Sequence, residues 1–153
     1  MTREEKYMKM AIREARKAAE RQEVPVGAII VYQDKVIARS GNVRIRNEKT
    51  ASHCEMAVIE KANKKLGSWR LDDCELYVTL EPCPMCAGTI LQARIRKVCF
   101  GAYDRKAGAL GSVFNLFSVE GLNHYPEIQG GILEEECSSM LTEFFRQLRQ
   151  NRK

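Results

Sequence analysis

The 153-residue chain has no long apolar run, no Pro/Gly-rich or low-complexity stretch, no internal repeat, only four prolines and only two histidines. Each shortage excludes something. Nothing approaches the roughly 18 apolar residues that a membrane-spanning helix needs. The start, MTREEKYMKM, is charged and lacks the apolar segment of a secretory signal, which predicts a cytoplasmic protein. Without linkers or repeats, a single domain over 1–153 is expected, and about 70% of the unfolded chain's surface can be buried at this size without covalent staples.

What is present starts with six cysteines: Cys54, Cys74, Cys83, Cys86, Cys99 and Cys137. In a cytoplasmic chain of this length they predict metal ligands or small buried side chains in preference to disulfides, and Cys74, Cys99 and Cys137 read as buried. The net charge of +5 and pI near 8.9 permit a polyanionic partner without demanding one. Basic residues gather in RIRNEK, ARIRK, YDRK and the tail FFRQLRQNRK.

Thr2 with Glu5 forms a capping-box pattern, and Met8, Ile12, Ala15 and Ala19 recur at helical spacing, so residues 3–21 are expected to be an amphipathic helix. VGAIIVY and KVIARS, joined through QDK, read as a β-hairpin followed by the polar loop GNVRIRNEKTAS. Residues 53–66 read as a helix, ELYVTL as a strand, PMCAGTILQAR as a helix and KVCFGAY as a strand. This alternation predicts a layered α/β domain with helices on the sheet faces. PEIQGGIL reads as a further strand, and LEEECSSMLTEFFRQLRQ as a closing amphipathic helix. On that helix Met140, Phe144 and Leu148 are expected in the core, leaving Arg149 and its aromatic neighbour Phe145 available to stack on or pair with nucleotides. Trp69, in GSWRL, reads as packing.

Cys83 and Cys86 stand three apart where a strand gives way to a helix, so both side chains can address one point. The helix N-terminus favours the thiolate form that ligates zinc, although a C-x-x-C by itself also serves as a redox pair. His53 opens the preceding helix, and the starts of two helices that follow adjacent parallel strands meet at one sheet edge. Three ligands, His53, Cys83 and Cys86, leave the fourth zinc position open for water, which is the catalytic arrangement. Glu55, two residues from His53, can face that position as a proton carrier. Cys54 reads as a small buried side chain; the alternative is a fourth ligand that would close the site and make it structural.

HCE followed by PCPMC is the known H-x-E…P-C-x-x-C signature of zinc-dependent nucleobase deaminases. The whole chain resembles the TadA family of bacterial tRNA adenosine deaminases through EVPVGAIIV, GSWRL, LYVTLEPCPMCAGTI, GAYDRKAG, LNH and EFFRQLR. That resemblance implies a three-layer α/β/α cytidine-deaminase-like domain around a mixed, roughly five-stranded sheet, with one zinc per chain. It further implies hydrolytic deamination of adenosine to inosine at the wobble position of a tRNA anticodon loop, by a homodimer. The matched positions imply that Asn42 in GNVR, Asp104 in YDRK and Asn123 in LNH hold the target nucleotide, and that His124 is not a ligand. One departure stands out: the family commonly carries alanine where this chain has Cys54. Two other functions use the same elements, namely a free-base or nucleoside deaminase acting on cytosine or guanine, and an RNA-binding domain with a structural zinc.

Overall fold

The Thr2 hydroxyl accepts the Glu5 N–H at 3.1 Å while the Glu5 carboxylate accepts the Thr2 N–H at 2.9 Å, closing the capping box that starts helix α1, Arg3–Glu20. The computed structural model describes residues 1–43 and 48–151; residues 44–47 of the RIRNEK cluster and 152–153 of the tail lie outside it. After α1 come β1 (Gly27–Tyr32), β2 (Lys35–Gly41), α2 (Cys54–Leu66), β3 (Cys74–Leu80), α3 (Pro84–Gln92), β4 (Lys97–Ala102), β5 (Glu127–Gln129) and α4 (Glu134–Gln150), with a short 3-10 turn at Leu116–Ser118. Among the described residues no helix is long and apolar enough to cross a membrane.

The hairpin turns on Gln33 and Asp34, both at positive φ (51° and 61°), the conformation of the two-residue turn whose twist matches that of paired strands. The sheet order is β2-β1-β3-β4-β5, with β1 antiparallel to both neighbours and β3, β4 and β5 mutually parallel. The sheet is therefore mixed and five-stranded, as the resemblance implies.

Both of its faces are covered, which is why the strands read as continuous apolar runs. Ala28, Ile30, Leu76, Val78, Val98 and Phe100 pack with Val58, Ile59 and Ala62 of α2 and Ala87 and Ile90 of α3. On the other face, Ile29, Val31, Tyr77 and Cys99 pack with Met8, Ala11 and Ile12 of α1 and Cys137 of α4. Successive strand residues point to opposite layers. Cys74, Cys99 and Cys137 are each fully buried, as expected of them.

Three expectations need correction. The strands that feed α2 and α3 are not adjacent, because β1 lies between β2 and β3. Since both oppose β1, they still run the same way, so the two helices begin at the same sheet edge and pack together. Trp69 is not a packing residue of the core: it is 62% exposed, with the Arg70 and Arg94 guanidinium groups 5.5 and 6.0 Å from its ring centre. The loop after α2 leaves the core once Gly67 caps the helix in the left-handed conformation, φ 61°. Finally, Leu148 is 37% exposed and Phe144 lines an open groove with Ala19, Gln22 and Pro25. The last turns of α4 lie along the end of α1, and only Cys137 of that helix is fully covered.

Candidate active site

His53 and Cys83 are the N-cap residues of α2 and α3, in extended conformations (ψ 151° and 173°) and without a side-chain bond to their own helices. N-caps are commonly Ser, Thr, Asp or Asn, which bond back to the first turn; here imidazole and thiol turn toward each other instead. Pro84 supplies the preset φ of the first helical position and gives up only an N–H that the helix would not use. Cys86 follows within the first turn, fully buried.

His53 Nδ1 lies 3.6 Å from Cys83 Sγ and 3.4 Å from Cys86 Sγ, and one donor atom from each residue falls within 4.8 Å of the others. Zinc bonds of about 2.3 Å to sulfur and 2.0–2.1 Å to nitrogen, set at the tetrahedral angle, separate such donors by about 3.6 Å. The three atoms thus fit one face of a zinc tetrahedron. Among the described residues no fourth Cys, His, Asp or Glu joins this set.

The Cys86 thiol donates toward Cys83 and, with support from His53 and the Cys86 N–H, pulls the Cys83 pKa down to about 4 against the opposing effect of burial. Cys86, the donor of that pair and the more buried, is held upward. The direction at Cys83 is the one expected at a helix N-terminus.

Glu55, one helical residue beyond Cys54, is buried, and burial raises its pKa above the ordinary carboxylate value. It lines a cleft of about 280 Å³ together with Asn42, His53, Cys83, Asp104, Glu81 and the apolar Val24, Val26 and Leu80. That volume is near the lower bound of about 300 Å³ typical for small-ligand sites. The cleft opens at the edge where β3 and β4 end and β1 begins.

Asn42 and Asp104 thus line the same cleft as His53, Glu55 and Cys83. Asn42 follows β2 and is fixed by its N–H to the Val26 carbonyl at 2.9 Å. Asp104 follows β4; its Oδ1 accepts the N–H groups of Lys106 at 3.0 Å and Ala107 at 3.1 Å, and its own N–H donates to Glu81 Oε1 at 3.1 Å.

Asn123 is not brought to this cleft. It is exposed in the loop before β5, where the His124 ring sits 2.7 Å from the carbonyl of Ile95, at the sheet edge opposite the cleft. His124 is accordingly at the sheet edge away from Cys83 and Cys86. Phe145 and Arg149 lie on the exposed side of α4, outside the cleft, with Phe145 in an edge contact to Phe144 at 5.5 Å. Cys54 is buried in the core cluster of α2 and α3 and is not part of the His53, Cys83 and Cys86 donor group, so the structure does not support the reading as a fourth ligand. Its Sγ donates to Glu55 Oε1 at 3.3 Å.

Sequence reading missed Glu81. It is 2% exposed and accepts four hydrogen bonds, from the N–H groups of Asp104, Leu110 and Ser112 and from the Ser112 hydroxyl. The available signal was a charged residue closing an apolar strand just before a metal-ligand pair.

The chain matches the model of the MafB19-like deaminase family over residues 2–149. It is 52% identical to the tRNA-specific adenosine deaminase of Bacillus subtilis, over 100% of this chain and 95% of that protein. The chain belongs to the tRNA-specific adenosine deaminase family. A solved tRNA:A34 deaminase, described for A-to-I editing at the wobble position of transfer RNA, superposes with a TM-score of 0.85 at 46% identity, covering 88% of this chain and 98% of that one. The guanine deaminase of Nitrosomonas europaea shares the fold, with a TM-score of 0.78 at 20% identity over 92% of this deaminase and 83% of that chain.

Proposed function

We propose that the chain binds one zinc ion on His53, Cys83 and Cys86 and converts adenosine to inosine in tRNA by hydrolysis. The observation that carries this is the three-donor tetrahedral face with buried Glu55 on the same cleft wall. Zinc held there would supply the Lewis acidity that lets water act as a nucleophile near neutral pH, with one coordination position left for it.

The chain's own residues account for the proton movements. Glu55 takes the proton that the attacking water gives up and delivers it to adenine N1 as the C6–O bond forms. A second transfer through the same carboxylate carries a proton to the C6 amine, the C–N bond breaks, and adenosine plus water becomes inosine plus ammonia. The upward push of burial on Glu55 suits a group that must both accept and return a proton. Asn42 offers a donor and an acceptor to the nucleotide, and Asp104 offers an acceptor.

The substrate reading follows the 52% relative and the wobble-editing structure. In an anticodon loop the target base is unpaired, so splaying it into a cleft of this size costs little unstacking. Phe145 and Arg149, on the helix that runs beside the end of α1, supply stacking and charge for flanking nucleotides. With tRNA as the substrate, the cytoplasm is the proposed location. The family resemblance extends to a homodimer.

Incubation with total tRNA followed by sequencing tests the reading. Adenosine-to-inosine conversion at the anticodon wobble position supports it. Ammonia release from free guanine or cytosine, with tRNA unchanged, would assign the chain to the free-base deaminases instead.

A further inference from the structure

We propose that Glu81 is the positioning residue of the cleft: its carboxylate ties segment 104–112 to the end of β3 and thereby fixes Asp104 against the bound nucleotide. The inference rests on the reading of Asp104 as a nucleotide contact.

Glu81 stands at the sheet edge two residues before Cys83, buried to 2%. Its Oε1 accepts the Asp104 N–H at 3.1 Å and the Ser112 hydroxyl; its Oε2 accepts the Leu110 N–H at 3.0 Å and the Ser112 N–H at 3.1 Å. A carboxylate offers about four lone-pair sites, and all are engaged. Among the described residues no Lys or Arg pairs with it, in contrast to buried Glu75, which Arg3 and Arg96 neutralise. Three of the four donors are backbone amides of a segment that belongs to no helix or strand of the sheet. Bonds to an ionised acceptor are the strong class of hydrogen bond, so this one side chain sets how the loop enters the cleft. Gly108 fits the same arrangement, because a Cβ there would overlap Glu81 Cδ and the Asp104 carbonyl oxygen.

Glutamine at position 81 separates the ties. An amide NH₂ in the place of Oε2 would face two N–H donors, whereas in the place of Oε1 it would face one N–H and a hydroxyl that can rotate to accept. Glu81→Gln therefore adopts the second orientation and loses the bond to Asp104, keeping those to Leu110 and Ser112.

The test uses the zinc-loaded full chain. Amide hydrogen exchange should show protection at Asp104 falling about tenfold or more in Glu81→Gln, as expected for loss of a bond to a charged acceptor, with Leu110 and Ser112 changed about twofold at most. On an anticodon stem-loop, KM should rise about tenfold with kcat within about threefold and zinc content unchanged, the pattern of lost uniform binding. In an Asp104→Ala background, Glu81→Gln should raise KM no further, because the two act through one contact. Additive effects, a kcat loss at constant KM, or unchanged Asp104 protection would each overturn the proposal. Should Glu81→Gln fail to fold, Gly108→Ala strains the same contact from the opposite side, and an unchanged KM there overturns it equally. If the wild type makes no inosine, the tRNA reading fails by itself, and the exchange arm still decides whether Glu81 holds Asp104.

Discussion

The Cys54 thiol donates to Glu55 Oε1 across 3.3 Å inside the core, so the residue beside His53 touches the proposed proton carrier and lies outside the three-donor set of His53, Cys83 and Cys86. A thiol is a weak donor, and Cys54 is only 1% exposed among apolar neighbours. Cys54→Ala should therefore keep one zinc per chain and most of the deaminase activity. Removing one buried atom should cost about 1 kcal/mol, a fall in Tm of about 2–4 °C for a chain of this size. Metal analysis, inosine yield and a thermal melt on one preparation check this; loss of zinc would return Cys54 to the ligand set.

Cys83→Ala and Cys86→Ala should each abolish stoichiometric zinc and inosine formation, since each removes one of three donors. His53→Ala should behave the same way. Unchanged metal content in both cysteine variants would refute the ligand set.

Glu75 supplies a pH dependence of stability that is separate from the active site. Burial raises the pKa of its carboxyl, but the Arg3 guanidinium, bonded at 2.8 and 3.0 Å, with Arg96 and Lys97, outweighs this and leaves it below the ordinary value of 4.5. A depressed folded-state pKa contributes stability above the unfolded value, and that contribution is lost as pH falls through the folded one. Below about pH 4.5 the wild type should thus lose stability more steeply than Glu75→Gln. Parallel acid limbs in denaturant melts of the two proteins would contradict this.

Arg149, exposed near the end of α4, is expected on the RNA side of the molecule. Stem-loop affinity should fall with salt, and Arg149→Ala should lower the log-log slope by about one phosphate's worth, roughly 0.7–0.9. An unchanged slope would return Arg149 to a solvent role.

Much of the fold was legible because it is written in short-range patterns. The Thr2–Glu5 box, the Gln33–Asp34 turn and the apolar periodicities of α1 and β3 each act over a few residues. The placement of β1 between β2 and β3 was not legible, since strand adjacency is decided by pairing across the whole chain. That His53, Cys83 and Cys86 would come together beside Glu55 was legible because metal chemistry restricts residue type and spacing together. Glu81 was not, because its partners Asp104, Leu110 and Ser112 lie more than twenty residues away and all three act through backbone amides that carry no residue signature. Trp69 shows the converse error: a lone tryptophan invites a core assignment, yet its loop leaves it outside between two arginines.

The most direct measurement is inosine formed in total tRNA by the wild type and by Glu55→Ala, with zinc content and stem-loop affinity determined on the same preparations. The wild type should convert the wobble adenosine. Glu55→Ala should keep its zinc and its RNA affinity and lose about 10²- to 10⁴-fold in rate, the usual contribution of a general acid/base group. Full activity in Glu55→Ala with zinc in place, or no inosine from a zinc-loaded wild type, would contradict the assignment of this cleft as a hydrolytic adenosine deaminase.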